Sequence, residues 1–175
     1  MSRAVRFAPL VLLVLLLAGL VWRLATPADT NVSSKLEGKP VPAFSLPAAL
    51  PTKPALASAD LTTGKPRIVN VFASWCVPCI TEVHVLQQLN SQGVIIDGIA
   101  VRDTPEELAD FLARNGDPYE RIGSDAQSRV QIALGSSGVP ESFIVDGRGI
   151  IRYQQIGPIE ASDVPMILSK LEQAR

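Results

Sequence analysis

Trp75-Cys76-Val77-Pro78-Cys79 holds the only two cysteines in 175 residues, and it constrains the fold more than any other segment. It follows the apolar run Ile68-Val69-Asn70-Val71-Phe72 and precedes a helical pattern. A Cys-x-x-Cys at a strand-to-helix turn is a redox arrangement. The first thiol then sits at a helix N-terminus, where unpaired N–H groups and the helix dipole favour the reactive thiolate. The second thiol, one helical turn on, can close a disulfide.

Plainer uses of the pair fit less well. A structural zinc site needs four Cys or His ligands. The chain offers Cys76, Cys79 and one histidine, His84, which lies about 140° around the helix from Cys79. A purely structural bridge enclosing two residues would remove little entropy from the unfolded chain. A Cu(I) thiol chaperone remains chemically possible, since soft thiolates suit Cu(I), but Met- or His-rich stretches are missing. A peroxidase would want a lone cysteine in a basic pocket. No arginine is near Cys76 in sequence, although Arg102 or Arg148 could be brought there by folding.

Net charge is −1, and three of the basic residues, Arg3, Arg6 and Arg23, fall in the first 30 positions. The remainder is mildly acidic and carries no nucleic-acid footprint. Phe7 to Trp22 is uncharged, rich in Leu and Val, and flanked by Arg6 and Arg23. At sixteen residues it falls between a signal-peptide core and a full span. Arg23 can snorkel, Trp22 suits an interface, and Thr26-Pro27-Ala28 is a poor cleavage site, so an uncleaved anchor is expected. The expected organisation is a transmembrane anchor over 1–25, a tether over 26–37 and a folded domain over 38–175. With a short N-terminus staying inside, the domain lies in an oxidising compartment.

Along the domain, Phe44-Ser45-Leu46-Pro47 reads as extended chain or an edge strand, and 50–65 as loop and turns. Residues 67–72 form a buried strand, and a helix from about Cys76 to Gln92 buries Cys79, Val83, Leu86 and Leu89. Residues 94–101 form a second buried strand. Thr104-Pro105-Glu106-Glu107 is a capping box that opens a helix ending near Asn115-Gly116. Residues 119–123 are ambiguous, and 125–134 can form a short helix. Strands over 142–146 and 150–156 flank the hairpin signal Gly147-Arg148-Gly149. Ser162 can cap a last helix carrying Val164, Ile167, Leu168 and Leu171. Parallel pairing first and antiparallel pairing later implies an α/β fold, a mixed sheet flanked by helices.

Over residues 38–175 the chain resembles the thioredoxin superfamily, and within it the membrane-anchored CcmG/DsbE group of cytochrome c maturation. The resemblance is carried by Gly38-Lys39-Pro40-Val41-Pro42-Ala43-Phe44, by Asn70-Val71-Phe72-Ala73-Ser74-Trp75-Cys76-Val77-Pro78-Cys79 and by Gly138-Val139-Pro140-Glu141-Ser142-Phe143-Ile144-Val145-Asp146. It implies a thioredoxin-like domain on a bacterial inner membrane, facing the periplasm as a single-pass monomer. It also implies a thiol-disulfide oxidoreductase without cofactor or metal that reduces apocytochrome c or a maturation factor and is re-reduced by a membrane electron donor. Related readings are a tethered reductase for copper-centre assembly or other secreted clients, and an oxidase or isomerase.

Cys76 and Cys79 are the expected catalytic pair, with Trp75 shielding them. The resemblance makes Val139-Pro140 a cis bond beside the thiols, leaving the Val139 backbone for a client strand. Glu82 and Glu141 are candidate acidic groups, the alternative for each being a solvated surface residue. Asn70 stands where general thioredoxins usually carry a buried aspartate. An amide is no base, which draws attention to Glu82 as the substitute.

Overall fold

The computed structural model describes residues 12–19 and 36–175. Residues 12–19 are helical (α1), apolar and exposed, and belong to a unit separate from the domain. The rest of the expected anchor and most of the expected tether lie outside the described residues. Among the described residues no helix is long and apolar enough to cross a membrane.

The domain is built around β3 (Arg67–Phe72), which is buried at every position. It pairs in parallel with β4 (Ile96–Val101), which pairs in parallel with β5 (Arg121–Asp125). On its other side β3 pairs antiparallel with β6 (Glu141–Val145), and β6 antiparallel with β7 (Ile151–Ile156). The order β5-β4-β3-β6-β7 is the mixed sheet expected from the element sequence. The crossovers through α2 (Val77–Ser91) and α3 (Pro105–Asn115) both step the same way across the sheet. Right-handed connections therefore put both helices on one face. They are joined there by α5 (Val164–Gln173).

Strand alternation divides the core in two. Ile68 and Phe72 of β3 pack with Val83, Leu86 and Leu89 of α2, Phe111 of α3 and Ile167 of α5. Val69 and Val71 face the other way. They pack with Leu46 of β1 (Ser45–Leu46), Leu56 of β2 (Leu56–Ala57) and Val130 of α4 (Arg129–Ala133). This second cover is thinner, a two-stranded ribbon plus five residues of helix.

Several local readings are refined. The extended segment at 44–47 pairs with β2 in a separate small sheet, and the stretch 50–65 contains β2 and a 3₁₀ turn over Ser58–Leu61. The second core strand starts at Ile96, because Val94 belongs to the turn after Gly93, which has φ +86°. Of the ambiguous stretch 119–123, residues 121–123 begin the edge strand β5, which runs on to Asp125. Its pattern is weak because Gly123 replaces an apolar residue. A Cβ there would come within 2.8 Å of Leu46, so glycine is what lets β1 lie on β5. Asp125 belongs to that strand rather than to the helix after it, and its carboxylate accepts from the Arg129 and Gln131 amides at 2.9 Å each. Ser162 does not cap the last helix. It lies inside a 3₁₀ turn, Ala161–Asp163, closed by Glu160 N–H donating to Asp163 at 2.9 Å, and α5 follows directly.

Candidate active site

β3 ends at Phe72, and Ala73-Ser74-Trp75 turn the chain into α2. Cys76 takes extended backbone angles at the N-cap position, and Pro78 suits the first helical turn, where no amide donor is needed. The Cys79 N–H lies 3.3 Å from Cys76 Sγ, so the cap acceptor of α2 is the sulfur itself. The two cysteines form a disulfide with Cα atoms 5.3 Å apart. Both are buried, whereas Trp75 beside them is 52% exposed and Val77 73%. His84 is exposed on α2.

The apolar face of α2 holds one residue that spacing alone did not place there. Glu82, one turn beyond Cys79, is 1% exposed. Its Oε2 accepts from Asn70 Nδ2 at 3.0 Å and its Oε1 from the Ile159 amide at 2.9 Å. Burial is the larger effect and these two donors oppose it, so the Glu82 carboxyl is raised to about 7. The surface alternative for Glu82 is thereby excluded.

Asn70 is fully buried and fully used. Its amide nitrogen also donates to Ser142 Oγ at 2.9 Å, and its oxygen accepts from the Tyr119 hydroxyl at 2.9 Å. Tyr119 stacks on Phe72 with ring centroids 4.5 Å apart. The stack exists because position 98 is glycine; a Cβ there would meet Phe72 at 2.8 Å and Tyr119 at 3.0 Å. Burial first, then the charge of Glu82, pushes the Tyr119 phenol well above the ordinary tyrosine range, so it stays a donor. An amide cannot be donor and acceptor through the same atom. With its oxygen taken by Tyr119, Asn70 turns its NH₂ toward Glu82. Nothing local in the sequence marks Tyr119, which is 49 residues from Asn70.

The Val139–Pro140 bond is cis, as the resemblance implied. Among the described residues the Val139 backbone N–H and C=O have no hydrogen-bond partner. Gly138 before it is held by Gln131 Nε2, which donates to its carbonyl at 3.2 Å, with Ser136 Oγ 2.9 Å from the same oxygen. Glu141 is also buried rather than on the surface. Its Oε2 accepts from Ser136 Oγ at 2.7 Å and the Ser137 amide at 2.8 Å, and its Oε1 from Gln154. Glu141 pairs in register with Val71, and Ser142 with Asn70. The two carboxylates therefore lie on opposite faces of the sheet, Glu82 on the α2 face and Glu141 on the ribbon face.

Folding also delivers one of the two arginines that sequence alone left open. The Arg102 guanidinium lies 5.5 Å from the centroid of the Trp75 ring. Arg148 stays in the β6–β7 turn, at the far end of β6 from Glu141, paired with Asp146 at 3.5 Å. Among the described residues no cluster of three or more His, Cys, Asp or Glu could hold a metal ion.

A reactive disulfide at the N-terminus of the helix after the central strand, on a β5-β4-β3-β6-β7 sheet, defines a thiol-disulfide oxidoreductase of thioredoxin-like fold. Residues 36–171 match the Redoxin family profile. The chain is 38% identical over 164 residues to the thiol:disulfide interchange protein DsbE of Escherichia coli K12, covering 91% of this chain and 88% of that one. It is 35% identical over 159 residues to the thiol:disulfide interchange protein HelX of Rhodobacter capsulatus, covering 91% and 90%. A DsbF homologue from Corynebacterium diphtheriae shares the fold, with a TM-score of 0.65 at 21% identity over 82% of this chain and 97% of that one. The chain belongs to the Redoxin family, among thiol:disulfide interchange proteins of the DsbE/HelX type.

Proposed function

We propose that this oxidoreductase is a membrane-tethered dithiol reductant on the periplasmic side of a bacterial inner membrane, serving apocytochrome c or a cytochrome c maturation factor. The exchange step rests on one observation, Cys76 Sγ at the N-terminus of α2 with Cys79 in bridging distance. Client, compartment and tether rest on the resemblance to the cytochrome c maturation group and on the apolar stretch from Phe7 to Trp22. In that organisation residues 1–25 anchor the chain, 26–37 tether it and 38–175 carry the chemistry.

In the reduced protein, the Cys76 thiolate attacks one sulfur of the client disulfide. An S–S bond forms, the client bond breaks, and one client thiolate leaves. Cys79 then loses its proton and attacks Cys76 Sγ. The Cys76–Cys79 bond forms and the second client thiolate departs, so two electrons have passed to the client. Glu82 accepts the Cys79 proton; a carboxyl raised to about 7 is matched to that task at neutral pH. Trp75 covers the sulfurs with its ring. The free backbone groups of Val139 receive an extended client segment. Pro140 and Glu141 support that edge, Glu141 by holding Ser136 and Ser137 in place. A membrane electron donor restores the dithiol, and a tether raises its local concentration around membrane-bound partners.

Trapping with Cys79→Ser in membranes of the source cell tests this. The variant cannot resolve the mixed disulfide on Cys76. Adducts with apocytochrome c or one maturation factor support the client reading. A broad set of secreted proteins replaces it with a general oxidoreductase, and no adducts on a reactive Cys76 defeats the exchange step.

A further inference from the structure

Arg102 is where the molecule places a cation that neither the exchange chemistry nor the core requires. It follows β4 directly and has φ +53°, a left-handed conformation that is uncommon for a residue with a side chain. Such a conformation persists only where the surroundings over-determine it. Here they do. The Arg102 amide donates to Asp125 O at 3.3 Å, fixing the turn to β5. The next residue, Asp103, accepts from the Ser74 amide at 3.0 and 3.1 Å and from Ser74 Oγ at 2.6 Å. Ser74 precedes Trp75 as Asp103 follows Arg102, so this staple joins the two turns and lays the guanidinium over the indole.

The contact with Trp75 is a cation–π one, 5.5 Å from Cζ to the ring centroid, and among the described residues the guanidinium N–H groups have no hydrogen-bond acceptor. Those N–H donors lie in the plane of the group, at the edge, and form a fork that suits a carboxylate. Among the described residues no carboxylate pairs with Arg102. Asp103, the nearest acid in sequence, is already engaged by Ser74. The side chain is exposed and borders an open cleft lined by Trp75 and Arg102. An exposed cation, held over the aromatic residue next to the attacking cysteine and lacking a counter-ion among the described residues, is placed to meet an anion from outside.

We infer that Arg102 is a specificity-determining residue that binds an aspartate or glutamate side chain flanking the disulfide of the partner polypeptide. The inference rests on the exchange activity of this site and not on which client the cell supplies. The pair forms as the partner docks and is released with it; it moves no electrons, and the bond changes remain those at Cys76 and Cys79.

The test uses the reduced full-length protein in detergent and two synthetic peptides. Each carries one Cys-x-x-Cys disulfide, flanked by glutamates in one peptide and by glutamines in the other. The readout is the ratio of their second-order reduction rates, which cancels any general change in thiol reactivity. Wild type favours the acidic peptide, and raised salt shrinks the preference because exposed charges are screened. Arg102→Glu lowers the ratio about fivefold, taking it below one, the size expected for losing an exposed ion pair and gaining a repulsion. Arg102→Lys, which keeps the charge without the fork, falls between them. Arg148→Glu makes the same charge change at the far end of β6 and serves as the control for net charge. A ratio that Arg102→Glu leaves unmoved, or that Arg148→Glu moves as much, overturns the inference. Failure of wild type to reduce either peptide overturns the exchange reading and this inference with it.

Discussion

Glu82 and Glu141 look alike in isolation. Each is a carboxylate close in sequence to an active-site segment, each is 1% exposed, and among the described residues neither has a cationic partner. They lie on opposite faces of one sheet and are solvated differently by the protein. Glu141 has donors on both oxygens from its own loop and from β7, so it works as the staple that shapes residues 136–137. Glu82 sits on the apolar face of α2, one turn from Cys79, with one amide donor and one side-chain donor. Two hydrogen bonds do not offset its burial, and its proton affinity rises. The two buried carboxylates thus differ in the number of donors that the fold brings to them.

The largest expected difference is in stability against pH. The Glu82 pKa is raised in the fold, from 4.5 to about 7. Its contribution is fully present below about pH 4.5, where both states hold the proton. Above that the unfolded chain releases its proton first, so stability falls as pH rises through about 7. The shift corresponds to a loss of about 3 kcal/mol at 1.36 kcal/mol per unit. Denaturant midpoints from pH 4 to 8 should show this fall in wild type and a flatter profile in Glu82→Gln. An equally flat wild-type profile would erase the distinction between the two acids.

The next effect is kinetic. Glu82→Gln should slow resolution of the Cys76 mixed disulfide by about 10²-fold, the usual contribution of a positioned base, and remove an inflection near pH 7 from the rate profile. Stopped-flow release of a client peptide reads both. If Glu141→Gln removed that inflection instead, the roles would be reversed.

Glu141→Ala should show its main effect in stability, about 2 kcal/mol, because the Ser137 amide and the Gln154 side chain lose their buried acceptor. Thermal unfolding of this variant next to Glu82→Gln measures it. The smallest change is Tyr119→Phe, about 1 kcal/mol for one lost buried hydrogen bond. It frees Asn70 to present its oxygen to Glu82, so the Glu82 titration should move further up. A carbon-13 label on the glutamate carboxyls would follow it. An unmoved titration would mean that Asn70 is oriented by Ser142 alone.

Much of this architecture is legible along the chain. The buried strand before Cys76, the Thr104–Glu107 capping box and the hairpin around Gly147-Arg148-Gly149 are local patterns, and each produces the expected element. β5 was not legible because Gly123 gives up its side chain so that Leu46 can approach, and that need is visible only when β1 is in place. Ser162 illustrates the same limit at a helix start, where Glu160 and Asp163 close the turn instead.

The redox centre itself is a local feature, since Cys76, Cys79 and the helix that follows are written within a few residues. Periodicity and capping act over three or four positions, and a linear reading captures them. The environment of Glu82 is different in kind. Asn70 and Ile159 bond Glu82 directly, Tyr119 and Ser142 bond Asn70, and the four come from separate segments, while Arg102 reaches Trp75 from the end of the neighbouring strand. Desolvation and hydrogen-bond partnership depend on which segments meet in space, so the proton affinity of Glu82 and the exposed guanidinium over Trp75 emerge only when the chain has closed around them.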